Sequence, residues 1–260
     1  MDKIKSILSK GRKNLPAIIL FFTIIIIWEV LIIILETPTY ILPKPSEIFV
    51  TLQEEFNYLL YNLGITMLAA ISGLLLGSFL AFFAAITFMY SEILERAIYP
   101  WAIIVRSIPV VAIAPLLTIW LGYGMAPKIT IAAIICFFPI LVNTTKGLKS
   151  TDQQAIELMQ LLGASKKEIL LKLRLPNSLP YIFAAYKISG TVAVVGAIVA
   201  EFTGSDAGIG AVIISAGYRM DSTMLFASIV VAAIASILMF YLMVTIEKIS
   251  IYWPQDKGEE

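Results

Sequence analysis

Apolar residues along this chain gather in long unbroken blocks, with polar residues confined mostly to the gaps between them. The blocks cover residues 15–35, 63–88, 99–121, 127–145, 180–200 and 224–246. Each is close to the roughly 20 residues that a helix needs to cross a bilayer. A lone barrel of strands would instead show shorter segments alternating between apolar and polar. The pattern therefore predicts an all-α membrane protein with six transmembrane helices. The first block follows Lys3, Lys5, Lys10, Arg12 and Lys13 and runs for 21 residues. A cleaved secretory leader has an apolar core of about 7–15 residues and a small-residue cleavage site. Neither applies, so this block reads as an uncleaved first span.

Two gaps are too long for simple turns. Residues 37–62 contain Leu42-Pro43-Lys44-Pro45, then Ile48, Leu52, Phe56, Leu59 and Leu60 near helical spacing, with Glu47, Gln53, Glu54 and Glu55 between them. That stretch fits a helix lying in the interface, or a docking face for a partner outside. In residues 146–177, Thr151-Asp152-Gln153-Gln154 fits a capping box. Ala155, Leu158, Met159 and Leu162 follow at helical spacing, and Gly163 stands where a left-handed cap is wanted. Ser165-Lys166-Lys167-Glu168 is a second capping box. The helix it opens should stop near Leu175, because Pro176 disfavours helical geometry before it and lacks an amide donor. Two short helices meeting at a Gly163-Ala164 corner are the expected result. Their apolar stripes are too short to span anything and too apolar to stand free in water.

Composition sharpens the picture. Of 260 residues 59% are hydrophobic and only 14% charged, against about 45–50% and 25% in soluble domains. Histidine is absent and the one cysteine, Cys136, lies inside an apolar block. This excludes His-based acid–base chemistry, haem axial His ligation, zinc sites and a disulfide framework. The formal charge of +1 gives no sign of nucleic-acid binding, and there is no G-x-x-x-x-G-K-[ST] phosphate loop. A nucleotide motor, if one drives this chain, is a separate protein. Fourteen of the 19 Lys and Arg fall on the side shared by residues 1–14, Arg96, the 146–177 segment and residues 250–260 with Lys248. Only Lys44, Lys128 and Arg219 fall opposite. By the positive-inside rule both termini and the 146–177 corner are cytoplasmic. The expected division is thus a cytoplasmic segment over 1–14, a transmembrane domain over 15–249 and a cytoplasmic tail over 250–260.

Glu157-Leu158-Met159, then Gly163, then Leu173, Leu175 and Pro176 keep the spacing of a known motif: E-A-A, three residues, G, nine residues, I, one residue, L-P. The chain thereby resembles the permease subunits of type I ATP-binding-cassette importers, with Leu158 and Met159 replacing the two alanines and Leu173 the isoleucine. Trp28-Glu29, Leu42-Pro43-Lys44-Pro45, Arg106-Ser107-Ile108-Pro109, Ala114-Pro115, Trp120-Leu121-Gly122 and Ala200-Glu201 are similar to the subgroup importing nitrate, sulfonates, taurine, thiamine precursors or riboflavin. The resemblance implies a prokaryotic inner-membrane protein paired with a second permease copy. It also implies two cytoplasmic ATPases, which bind the ATP and Mg, and an extracytoplasmic solute-binding protein. Glu157, Leu158, Leu161, Gly163, Ala164, Ser165, Leu175 and Pro176 would then make the contact that couples the ATPase to the membrane helices.

Charges within a bilayer are costly and tend to pair, face the bundle interior or reach the interface. Arg106 and Lys187, each about two turns into a span, either snorkel to the inner surface or make the pathway attractive to an anion. Glu29 and Glu201 lie toward outer ends and read as paired or capping groups, with Glu201 also a candidate for the pathway beside Arg106, Ser107, Pro109 and Lys187. Pro109, Pro115 and Pro139 predict kinks, either for packing or as hinges lining the pathway. Gly73 and Gly77 form a small-xxx-small pair for close helix approach, within the subunit or between subunits. The glycine-rich 204–210 stretch predicts an outer loop followed by a short re-entrant or interfacial helix. A stand-alone secondary carrier or channel is the alternative class, disfavoured by the corner and by the lack of an inverted repeat. A membrane-embedded enzyme has little chemistry to work with here.

Overall fold

The computed structural model describes residues 2–252; Met1 and most of the expected C-terminal tail lie outside the described residues. Among the described residues all regular structure is helical. In chain order the elements are α1 (Asp2–Ile34), α2 (Pro45–Glu54), α3 (Phe56–Tyr90), α4 (Glu92–Ser107), α5 (Val110–Leu121) and α6 (Met125–Lys149). They continue with α7 (Gln153–Leu161), α8 (Lys166–Ile169), a π-helical segment (Leu170–Arg174), α9 (Leu175–Glu201), α10 (Ile209–Tyr218) and α11 (Ser222–Ser250). Among the described residues five helices are long and apolar enough to cross a membrane, and a sixth crossing is available if α4 and α5 are counted as one bent pair.

The chain divides into two compact units: residues up to 59 with 212–229, and residues 60–211 with 230 onward. In the first, Glu29 of α1 accepts hydrogen bonds from the Ser46 amide (3.0 Å) and hydroxyl (2.7 Å), so it caps the start of α2. Trp28 packs against Phe226, with ring centroids 5.8 Å apart. The amphipathic stretch after Pro45 divides between α2, where Ile48 is the buried residue, and the first turns of α3, which take Phe56, Leu59 and Leu60.

The core of the second unit is built by α3, α6, α9 and α11, through residues such as Leu74, Phe88, Cys136, Ile140, Leu141, Val194 and Met239. Small residues let the backbones approach closely. A Cβ at Gly77 would stand 2.6 Å from the Ala133 carbonyl oxygen, and one at Gly73 2.8 Å from that of Ile129. The Gly73/Gly77 pair thus packs against α6 inside one subunit.

Two proline sites depart from simple expectation. The 99–121 block is not one helix: α4 and α5 meet at 98° across Ile108-Pro109. Pro109 supplies no amide to continue α4 and instead stands at the N-cap of α5. Conversely, Pro176 does not end a helix. The backbone widens to π geometry over Leu170–Arg174, the Leu175 amide bonds to the Leu170 carbonyl, and Pro176 enters the first turn of α9. The wider π turn relieves the clash that a proline ring makes with the preceding turn of a regular helix. A 36-residue helical run from Lys166 to Glu201 results.

Candidate functional site

The expected corner between α7 and α8 is present, and its backbone is determinate. Gly163 has φ +80°, its amide bonds to the Gln160 carbonyl, and the Ala164 amide reaches back to Met159, both at 2.9 Å. This pair of bonds is the Schellman arrangement, which needs a left-handed residue that glycine supplies without a Cβ clash. Ser165 then opens α8. Its hydroxyl accepts from the Glu168 amide (3.3 Å) and the Glu168 carboxylate accepts from the Ser165 amide (2.9 Å). The first capping group differs from expectation: Asp152, not Thr151, accepts from the Gln154 amide. Thr151 is buried and its hydroxyl is bonded by Asn177.

The apolar face of α7 is also turned from the one expected. Ile156 is the buried residue, whereas Leu158, Leu161 and Leu162 are exposed, the last two at 85% and 78%. Glu157 is exposed beside them and accepts from Gln153. The inner side of the corner is fastened by Arg174, which donates to the Leu148 carbonyl at the end of α6 (3.1 Å), and by Tyr90, which donates to the Lys166 carbonyl. Leu175 and Pro176 sit half-buried where α9 begins.

Arg106, in the last turn of α4, stacks its guanidinium 4.7 Å above the Phe138 ring. It lines an open cavity of about 490 Å³ with Trp101, Phe137, Pro139, Ile188 and Val192. Arg106 is exposed, and a cation over a ring at an exposed site is worth about 0.5–1 kcal/mol, enough to bias the guanidinium toward this cavity. Ser107 donates to its own helix at Ile103, and Pro109 marks the bend. Lys187 does not join Arg106: its ammonium is 3.0 Å from both carboxylate oxygens of Glu247 on α11.

Glu201, the last residue of α9, is 1% exposed. One carboxylate oxygen accepts from the Gly210 amide (2.8 Å), and Lys128 approaches the other at 3.4 Å. The Thr66 hydroxyl lies 3.0 Å from both oxygens and accepts from the Ile209 amide (2.8 Å). Asn62 accepts from the Gly208 amide (2.8 Å), and Lys128 also donates to the Ala207 carbonyl (2.8 Å). Three successive amides that open α10 are therefore each bonded by a side chain. A Cβ on Gly208 or Gly210 would collide with Glu201. Sequence reasoning flagged Glu201 because a charge stood in an apolar block. It missed Lys128, which stands at a block edge and resembles a loop cation but is only 5% exposed. It also missed Thr66 and Asn62, which carry no charge.

Residues 73–250 match the model for the inner membrane component of binding-protein-dependent transport systems. A probable ABC transporter permease of Haemophilus influenzae is 32% identical over 87% of this chain and 93% of its own length. The formylaminopyrimidine transport permease ThiX of Halalkalibacterium halodurans is 32% identical over 95% and 98%. A putative aliphatic sulfonates transport permease of Bacillus subtilis is 30% identical over 86% and 83%. Among solved structures, a chain of the MetNI methionine ABC transporter in inward-facing conformations superposes with a TM-score of 0.61 at 20% identity. It covers 74% of this chain and 94% of its own.

Proposed function

Because the chain belongs to the family of binding-protein-dependent transport system inner membrane components, we propose that it forms the translocation pathway of an importer and takes its driving force at the Gly163 corner. It is a multi-pass membrane protein of the ATP-binding-cassette permease type. The observation that carries the proposal is the corner itself. Leu158, Leu161 and Leu162 stand exposed on a Schellman turn outside the apolar blocks that reach the lipid, and apolar side chains so presented favour burial against a partner. That partner is an ATPase subunit binding ATP and Mg, with the corner and both termini on the cytoplasmic side as the Lys and Arg distribution implies. The complete machine contains two permease copies of this chain, two ATPases and an external solute-binding protein.

The cargo is a nitrate-, sulfonate- or taurine-like anion or a vitamin-related molecule. Permeases named for formylaminopyrimidine and aliphatic sulfonates are among the relatives, and Arg106 places one cation in a cavity with otherwise apolar and aromatic walls. Co-expression with the ATPase should yield a stable complex through a detergent extraction. Proteoliposomes holding that complex should take up solute only with ATP and the loaded binding protein. Isolation of the permease alone, with flux indifferent to nucleotide, would establish a stand-alone carrier instead.

A further inference from the structure

The Gly163 corner and the Glu201 cluster are the two ends of one helical run. Ser165 caps its start two residues after Gly163, and its last residue, Glu201, accepts from the amide of Gly210. Thirty-six residues separate Lys166 from Glu201 inclusively, about 54 Å at 1.5 Å per residue. That exceeds the roughly 40–45 Å of a bilayer with its headgroup regions. A displacement applied at the corner therefore has a continuous backbone path to the opposite side. What it meets there is a fixed joint rather than a loose loop end. Lys128 holds Glu201 and Ala207, Thr66 holds Glu201 and Ile209, and Asn62 holds Gly208. The intervening loop holds Gly204 (φ +104°) and Gly208 (φ +117°) in the left-handed region, and Gly208 is itself part of the joint through the bond of its amide to Asn62.

We propose that Glu201 is a positioning residue for transport, the far joint through which the Lys166–Glu201 run delivers motion from the coupling corner to the first turn of α10. This rests on the importer reading above. Replacing both members of a buried pair by apolar groups of similar volume is often neutral for stability, while removing one partner is strongly destabilising. Glu201→Met with Lys128→Met is accordingly the informative variant, since it keeps both side-chain lengths and removes the grip. Thr66→Val, which deletes the hydroxyl from the Ile209 amide at nearly constant volume, is read in parallel.

The test uses the full complex in proteoliposomes, with Cys136→Ala removing the native thiol and Asp206→Cys as an exposed reporter in the loop. Reaction of the permease chain with a membrane-impermeant maleimide is followed without nucleotide and after trapping with ATP and vanadate. In the otherwise unsubstituted complex the labelling rate should change at least fivefold. In the double variant and in Thr66→Val that change should shrink below twofold and uptake should fall at least tenfold while ATP hydrolysis continues. Persistence of both responses in the variants overturns the joint. So does loss of assembly and hydrolysis together with uptake in both variants, since that assigns Glu201 to folding alone. ATP-driven uptake with an unresponsive reporter before any joint substitution removes the joint but leaves the importer reading. Uptake indifferent to ATP removes the importer reading itself.

Discussion

The ammonium of Lys187 stands equidistant, at 3.0 Å, from both carboxylate oxygens of Glu247. The pair ties the middle of α9 to the end of α11, and both side chains are about three-quarters buried. Its charge is consequently matched within the protein. That leaves Arg106 as the cation facing the cavity, and it separates two residues that sequence reasoning had treated alike.

Removing one member of the Lys187–Glu247 pair should cost stability, because the remaining charge loses its partner in a poorly hydrated place. Fully buried pairs lose about 3–5 kcal/mol on such a change; partial exposure here should hold Lys187→Met to about 1–3 kcal/mol. Lys187→Met with Glu247→Met should recover most of it. Unfolding of the four proteins in one detergent would give the coupling by a double-mutant cycle. A double variant that loses the sum of the two single losses would show that the pair contributes little.

Gly77 and Gly64 lie on the same helix and should respond oppositely to alanine. At Gly77 the new methyl would stand 2.6 Å from the Ala133 carbonyl oxygen, whereas at Gly64 nothing lies within 4 Å. Overpacking costs about 1–3 kcal/mol, while alanine in an open helical site gains up to about 1 kcal/mol. Thermal midpoints of Gly77→Ala and Gly64→Ala should fall on either side of the parent value.

These contrasts indicate which features a linear reading can reach. Blocks of about 20 apolar residues announce helices because the bilayer imposes a length, and Gly163 and Ser165 announce the corner because their backbone bonds are local. The 98° turn at Pro109 was legible as a kink, but its size depends on what α4 and α5 pack against. The passage through Pro176 was hidden, since π widening is a response of neighbouring carbonyls rather than a residue preference. Lys128 and Glu201 are 73 positions apart, and no periodicity connects them.

Gly163 offers a test of the corner that separates geometry from mere smallness. Its φ of +80° places it where a residue with a Cβ is strained by about 1–2 kcal/mol, and where asparagine is the best-tolerated substitute. No side chain would collide there, so the effect of a substitution is conformational. Gly163→Val should insert and assemble yet hydrolyse ATP with uptake reduced at least tenfold, whereas Gly163→Asn should keep most of it. Parallel assays of ATPase rate and uptake in proteoliposomes distinguish the cases. Equal uptake by the valine and asparagine variants would remove backbone shape at this corner from the mechanism.

Arg106 decides between charge selection and structure in the cavity. If its guanidinium attracts an anionic cargo, Arg106→Gln should reduce uptake of an anionic solute about tenfold or more, and Arg106→Lys should retain much of it because the charge remains. Lysine cannot reproduce the flat stacking of guanidinium on Phe138, so under a purely structural role lysine and glutamine would fail together. The decisive comparison adds a neutral solute delivered by the same binding protein. A loss confined to the anion identifies charge as the selective feature, whereas an equal loss of both assigns Arg106 to holding α4 against α6. Arg106 is exposed on an open cavity, so raising salt in the assay should screen the charge and blunt the anion's advantage.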